Sequence, residues 1–577
     1  MKLFRLLTTC IALGIAMCVA LWPLPTPAQS FDIVITNGHI IDGTGSPWYS
    51  GDIGIRMGRI AAIGNLSAEP RRRTIDAHGE VVAPGFIDML GQSGRSILVD
   101  PRLPSKIYQG ITTEVTGEGE SEGPLNDTML EAARKHPGPL GIVPDWHTLG
   151  GYFARLQKHG IGINLASYVG AAQVREMVLG DEDRQPTLEQ LNQMKSLVRD
   201  AMRDGAVGLS TALQYPPAPY AKTEELIALA SVAAQFGGIY ATHMRNESNA
   251  ILPAIDEALR IGQEAHIPVE IWHIKVAGKD NWGHMEGVVS KIDAARAQGI
   301  DVSADTYAYT AWSNDLAAFL PPWSMDGGDA KLLERLKNPE IRARMRREML
   351  TKSDSWDNEW QQITGPDSIL ICGVENPKLL PLQGQTLAAV AKSWGKDPID
   401  SLFELLIQDE AATTVAVFGM SDADIALALR QPWVSVDTDA SGLSPEGILG
   451  REHPHPRAYG TFPRILRKYV REDHMLTLPE AIRKFSALPA QRMRFTDRGV
   501  LKKGMWADVV VFNPATVTDI ATYDKPNQLS SGMDFVLVNG VPVIDLGKMS
   551  GALPGKVLRG PGYVPGRDES DLSKLGF

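Results

Sequence analysis

Cysteine is scarce: the 577 residues carry only Cys10, Cys18 and Cys372. That excludes a disulfide-built scaffold and any zinc module with four cysteine ligands. A surplus of basic charge is missing too. The 57 Lys and Arg are outnumbered by 68 Asp and Glu, for a net charge of −11, which argues against an extended nucleic-acid or anionic-membrane surface. Beyond residue 30 no stretch reaches the roughly 18 apolar residues of a membrane-spanning helix. There is no internal repeat and no Walker-type phosphate loop. What is present is globular in composition: 44% apolar and 22% charged residues exclude wholesale disorder. The length excludes one small domain.

Lys2 and Arg5 precede an apolar run from Leu6 to Trp22, and small and Pro-rich residues follow, ending Thr26-Pro27-Ala28. This is the layout of a secretory signal peptide over residues 1–28; an uncleaved anchor is the alternative. The chain is therefore expected to be exported, periplasmic or secreted, with no stable membrane insertion after leader removal. Its mature form keeps Cys372 alone, so it works without an internal disulfide.

Short apolar strands with Gly and Asn turns mark both ends, at 31–84 and 498–560, and predict one composite β-sandwich domain. Residues 85–497 alternate strands with helical runs. The strand candidates are Gly85–Asp88, Gly110–Thr116, Ile163–Val169, Ala206–Thr211, Gly238–His243, Val269–His273, Asp301–Tyr307 and Trp433–Asp439. Repeated β–α units predict an α/β fold, a (β/α)8 TIM-type barrel whose active site lies at the C-terminal strand ends. An open doubly wound sheet is the alternative. Residues 311–368 break the rhythm and are expected to form a helical insertion near the barrel mouth. Residues after Gly551 are expected to wind along the surface, with 561–577 as a tail.

Two histidines stand out. His243 and His273 each end a strand candidate, thirty positions apart, about one β–α repeat. In a barrel this places both imidazoles on the catalytic face, the arrangement a zinc ion needs. Asp439 ends the last strand candidate, where a carboxylate can take a proton from water and return it to a leaving amine. Asp437 faces the same way by alternation and is its rival.

These residues sit within a wider pattern: Ala83-Pro84-Gly85-Phe86-Ile87-Asp88, Gly110-Ile111-Thr112-Thr113, Thr242-His243-Met244-Arg245, His273-Ile274-Lys275, Asp305-Thr306-Tyr307-Ala308-Tyr309, His455-Pro456-Arg457 and Gly460-Thr461-Phe462-Pro463-Arg464. In order and spacing the chain resembles the N-acyl-D-amino-acid deacylase (D-aminoacylase) branch of the amidohydrolase superfamily. The resemblance implies a metal-dependent hydrolase of linear amide C–N bonds, with a composite β domain beside a barrel. It implies metal binding by His243 and His273, catalysis by Asp439, and a substrate carboxylate held by Lys275, Tyr307, Arg457 and Ser313. The implied partner is a small molecule with a free carboxylate.

Two departures from that pattern bear on the metal. The Asp-x-His-x-His of the superfamily reads Asp88-Met89-Leu90-Gly91-Gln92 here. Leu cannot ligate a metal and Gln is a poor zinc ligand, so one Zn²⁺ per chain is expected instead of a binuclear site. The Gly-Asn-Cys-Gly of the branch reads Gly117-Glu118-Gly119-Glu120. Glu118 is the expected third ligand, with Glu120 as the alternative and Glu114 deeper in the strand. A cyclic-amide hydrolase, a D-residue dipeptide hydrolase and a non-catalytic binding protein on the same fold are the competing readings.

Overall fold

A computed structural model describes residues 30–566. The leader expected over 1–28 and residues 567–577 of the expected tail lie outside the described residues.

The two ends of the chain meet in one nine-stranded sheet. Its order runs from Lys548–Met549 through Val541–Asp545, Met533–Val538, Val509–Phe512, Val81–Pro84, Phe31–Ile40 and Tyr49–Arg56 to Arg59–Gly64; Arg71–Asp76 also pairs with Phe31–Ile40. The join between the ends is the antiparallel pairing of Val509–Phe512 with Val81–Pro84. Alternating residues of these strands (Ile33, Ile35, Ile53, Ile55, Val509, Val511) gather into one buried apolar cluster, as the period of two dictates.

The centre is built of parallel strands. One sheet pairs Phe86–Asp88, Ile111–Thr116 and Asn164–Ser167. A second runs Val169–Gly170, Gly208–Ala212, Ile239–His243, Val269–Ile271, Val302–Thr306 and Val434–Val436, parallel throughout. Each of the eight expected segments contains one of these strands. Tyr168 alone separates Asn164–Ser167 from Val169–Gly170, so these continue one another. At the other margin, Asp439 N–H donates to Leu90 O at 2.9 Å and Gly91 bridges Ala440 in parallel. Almost every strand residue is buried, the polar ones such as Thr113, Glu114, Thr211 and Asp305 included. Crossover helices such as Thr223–Gln235 turn Leu226, Leu229, Ala230 and Ala233 inward at helical spacing.

A buried ammonium ties the first strand to the last. Lys106 Nζ donates to Asp88 Oδ2 at 2.7 Å, Thr438 Oγ1 at 2.7 Å and Ala440 O at 2.8 Å, with Glu114 Oε2 at 3.6 Å. Burial opposes its charge, but the Asp88 and Glu114 carboxylates hold its pKa above the ordinary value.

Two local expectations change. Residues 311–368 are not wholly helical. Helices Asp329–Leu336 and Pro339–Met349 take up the charged part, but Ala311–Asp315 is a strand. It pairs with Thr414–Phe418, which in turn pairs with Ile369–Gly373, all antiparallel. A partner about a hundred residues away leaves no local signal. After Gly551 the chain also does more than cover the surface: Leu165 N–H donates to Lys556 O and Leu558 N–H to Leu165 O, at 2.9 and 2.8 Å. Gly555 permits this approach, since a Cβ there would stand 2.0 Å from Ile163 O. Among the described residues no helix is long and apolar enough to cross a membrane.

Candidate metal centre and catalytic cavity

His243 closes the strand Ile239–His243, and His273 follows Val269–Ile271 by two residues. The pairing of Thr242 with Ile271 brings the two imidazoles edge to face, with centroids 4.7 Å apart. Glu118 enters from the loop after Ile111–Thr116. Its Oε1 lies 3.2 Å from His243 Nδ1 and 3.3 Å from His273 Nε2. One ligand atom from each of the three falls within 4.8 Å of the others, so a single ion could reach all three at roughly 2.0–2.2 Å. Glu120 is not in this cluster; it lines a neighbouring acidic cavity with Glu122 and Asp315. Glu114 is spent on Ser93 N–H and Oγ and on Lys106.

Charge supports the same fit. Burial opposes an ionised Glu118, but hydrogen bonds and charge from His243 and His273 hold its carboxyl well below the ordinary range. Burial and the Lys275 ammonium oppose a charged His273, yet Glu247, Asp439 and Glu118 push its pKa up to about 10. Three carboxylates thus draw positive charge into the site, and a dication would supply it in place of ring protons.

Asp439 lines the cavity beside this cluster, whereas Asp437 is fully buried and its carboxyl faces that of Asp305. Burial, then the Asp439 charge, pushes Asp437 up to about 8. Asp439 and His273 both hold left-handed φ angles, 43° and 36°. Such strain in non-glycine residues gathers at functional sites, where surrounding contacts fix it. His273 is pinned by its N–H to Asp305 Oδ1.

The cavity measures about 470 Å³, and Gln92, Glu118, His243, Lys275, Ser313, Asp439 and Arg457 line it. Arg457 is buried. Its Nη1 pairs with Asp439 Oδ2 at 2.7 Å and its Nη2 donates to Ser313 O at 3.3 Å, while Nε makes no hydrogen bond. Tyr307 does not reach the wall. Its ring backs Arg457, with the guanidinium 4.7 Å from the ring centroid. Lys275 Nζ turns inward to Glu247 and to His273 Nδ1.

Several residues at the site escape sequence reasoning. Gln92, standing where a histidine was expected, donates to Glu118 Oε2 and so orients it. Glu247 reaches both imidazoles, at 3.2 Å from His273 Nδ1 and 3.6 Å from His243 Nε2. Gln214 Oε1 is 2.9 Å from His243 Nε2. The inserted segment holds both of these partners. Asp357 accepts from Glu247 N–H at 2.9 Å, and Glu359 accepts from Gln214 Nε2 at 2.6 Å. Outer partners of this kind fix ring orientation at metal sites. Only Glu247 carries a sequence signal, four residues after His243.

Burial, then Asp357, pushes the Glu359 carboxyl from 4.5 up to about 8. Between those values the folded chain holds a proton that the unfolded chain has lost. The Glu359 contribution to stability therefore falls as pH rises through this window, by up to about 1.4 kcal/mol per pH unit. Glu359→Gln is expected to flatten the slope, read by urea denaturation at about pH 5, 6.5 and 8; an unchanged slope contradicts this.

Residues 406–544 match the amidohydrolase family. The chain is 35% identical over 544 residues to the N-acyl-D-glutamate deacylase of Alcaligenes xylosoxydans xylosoxydans, covering 94% of this chain and 99% of that protein. It is 35% identical over 537 residues to the D-aminoacylase of the same organism, covering 92% and 98%. Among solved structures, the N-acyl-D-glutamate deacylase of Bordetella bronchiseptica, complexed with zinc and a phosphonate mimic of the tetrahedral intermediate, superposes with a TM-score of 0.77. It is 35% identical, and the match covers 92% of this chain and all of that one.

Proposed function

The chain belongs to the amidohydrolase family, in its N-acyl-D-amino-acid deacylase branch, and from that premise we propose that it hydrolyses N-acyl-D-amino acids to a carboxylate and a D-amino acid. One observation carries the reading: Glu118, His243 and His273 converge beside a cavity that also holds Asp439 and an Arg457 with its Nε unpartnered.

Glu118, His243 and His273 would hold one Zn²⁺, since Leu90 and Gln92 offer nothing to a second. Bound there, zinc supplies Lewis-acid polarisation of the amide carbonyl and a lowered pKa for the attacking water. Asp439 orients that water, accepts its proton and passes it to the departing nitrogen. Arg457 receives the substrate carboxylate on its buried guanidinium, through the unpartnered Nε–H and a positive charge it shares with Asp439. That carboxylate competes with Asp439 for Arg457, so substrate binding loosens the 2.7 Å pair and frees Asp439 for water. Tyr307 holds Arg457 from behind, Ser313 narrows its approach, and Lys275 neutralises Glu247. Carboxylate, carbonyl and nitrogen are then fixed at three points, and only one enantiomer aligns all three.

The same reading takes the two parallel sheets as one (β/α)8 barrel over 85–497, closed through Leu90 and Asp439, with the composite β domain drawn from 31–84 and 498–560. It places the protein outside the cytoplasm, periplasmic or secreted, on the strength of the leader sequence. The test is hydrolysis by zinc-loaded protein of paired N-acetyl-D- and N-acetyl-L-amino acids, with hydantoin and a D-residue dipeptide alongside. D-selective release of acetate is expected; preferred turnover of hydantoin, or none of any substrate, overturns the proposal.

A further inference from the structure

We propose that this site accepts D-amino acids with neutral or cationic side chains and rejects acidic ones, and that Glu452 is the residue that discriminates. The proposal rests on the deacylase reading and narrows its substrate class.

Only two cationic side chains line the catalytic cavity, Lys275 and Arg457. Lys275 Nζ is already taken by Glu247 and by His273 Nδ1 at 2.9 Å. His455 adds no charge, because burial and the Arg457 guanidinium hold its pKa far below the ordinary value. Of these two, Arg457 alone keeps a buried donor without a partner, its Nε, and its Nη1 is held only by Asp439. The site can therefore satisfy one carboxylate, and the α-carboxylate uses it.

Side chain and α-carboxylate leave the same carbon, so the side chain must lie within a few ångströms of Arg457. On that flank the wall is Cys372, Thr414 and Glu452. The Cys372 thiol lies in the fields of both Arg457 and Glu452, which places the three together. Thr414 and Glu452 crowd the end of the strand Ile369–Gly373. A Cβ on Gly373 would stand 2.6 Å from Thr414 Oγ1 and 3.4 Å from the Glu452 carboxyl carbon. Among the described residues Glu452 has no cationic partner; burial and nearby Glu375 raise its pKa. Asp315, the strand partner of Thr414, lines the wall there too, and Asp357 and Glu359 line it elsewhere. A D-glutamate or D-aspartate side chain beside Glu452 thus finds no cation to pair with and would be desolvated unpaired. An aliphatic side chain meets the methyl and thiol of Thr414 and Cys372. A lysine or arginine side chain meets Glu452.

The test compares kcat/KM of the full-length, zinc-loaded protein for N-acetyl-D-leucine, N-acetyl-D-lysine and N-acetyl-D-glutamate. The glutamate derivative is expected to fall below both others by roughly 10²–10³-fold, the effect of one unpaired buried carboxylate. Glu452→Arg is expected to raise the glutamate-to-leucine ratio by at least about tenfold, with Glu452→Gln giving a smaller rise. The two variants guard against loss of fold in either one. Wild-type turnover of the glutamate derivative equal to that of leucine overturns the class assignment. An unchanged ratio in both variants overturns the role of Glu452. Failure of every N-acetyl-D-amino acid instead overturns the deacylase reading, and this proposal with it.

Discussion

Asp439→Asn is expected to lower kcat about 10²–10⁴-fold, the span of a lost general acid–base group, while zinc content stays at the wild-type level. The reasoning is local. Asp439 stands outside the cluster of Glu118, His243 and His273, so the metal donors survive the change. An amide cannot take the proton of the attacking water or return one to the leaving nitrogen. The left-handed backbone at Asp439, φ 43°, also suits Asn, which tolerates this region better than most residues. The loss is therefore chemical and not a matter of strain. Asn also lifts the 2.7 Å competition for Arg457, so KM for the carboxylate substrate should stay level or fall. Single-turnover kinetics with parallel metal analysis separate the effects. A variant that keeps wild-type kcat would remove Asp439 from the reaction.

Removing the third ligand gives the second large effect. Glu118→Ala leaves two histidines and an orphaned Gln92 amide. Zinc affinity is expected to fall by more than about 100-fold, since even outer-shell losses cost about 10–100-fold, and hydrolysis should fall with it. Glu118→Cys is the informative partner. A thiolate is a good zinc ligand at about 2.3 Å, so this variant should retain metal where alanine does not. Competition with a chromogenic chelator reads both without reference to activity. If Glu118→Ala binds zinc as tightly as the wild type, the metal lies elsewhere.

What could be read from the sequence follows the reach of each interaction. His243 and His273 were legible because strand ends one β–α repeat apart must face the same way. Glu118 was legible through an absence, since the loop after the second strand offers acid where the resembling branch has cysteine. It was favoured over Glu120 from the sequence, and the structure groups Glu118, not Glu120, with the two histidines. Gln214, Asp357 and Glu359 were not legible at all. Asp357 and Glu359 act through partners more than a hundred positions away, and Gln214 meets His243 across two neighbouring strand ends with no motif of its own. Ala311–Asp315 hid for the same reason, its strand partners lying at Thr414–Phe418. Tyr307 shows the limit of a matched motif, because its position was foreseen but its place behind Arg457 was not.

The central claim is that one metal, held by Glu118, His243 and His273, drives D-selective deacylation. Titrating zinc into chelator-stripped protein while following hydrolysis of N-acetyl-D-leucine tests it most directly. Activity should rise from near zero and break at one equivalent of zinc per chain, with the L-enantiomer silent throughout. Full activity without metal, or a rise that continues to two equivalents, would contradict the account.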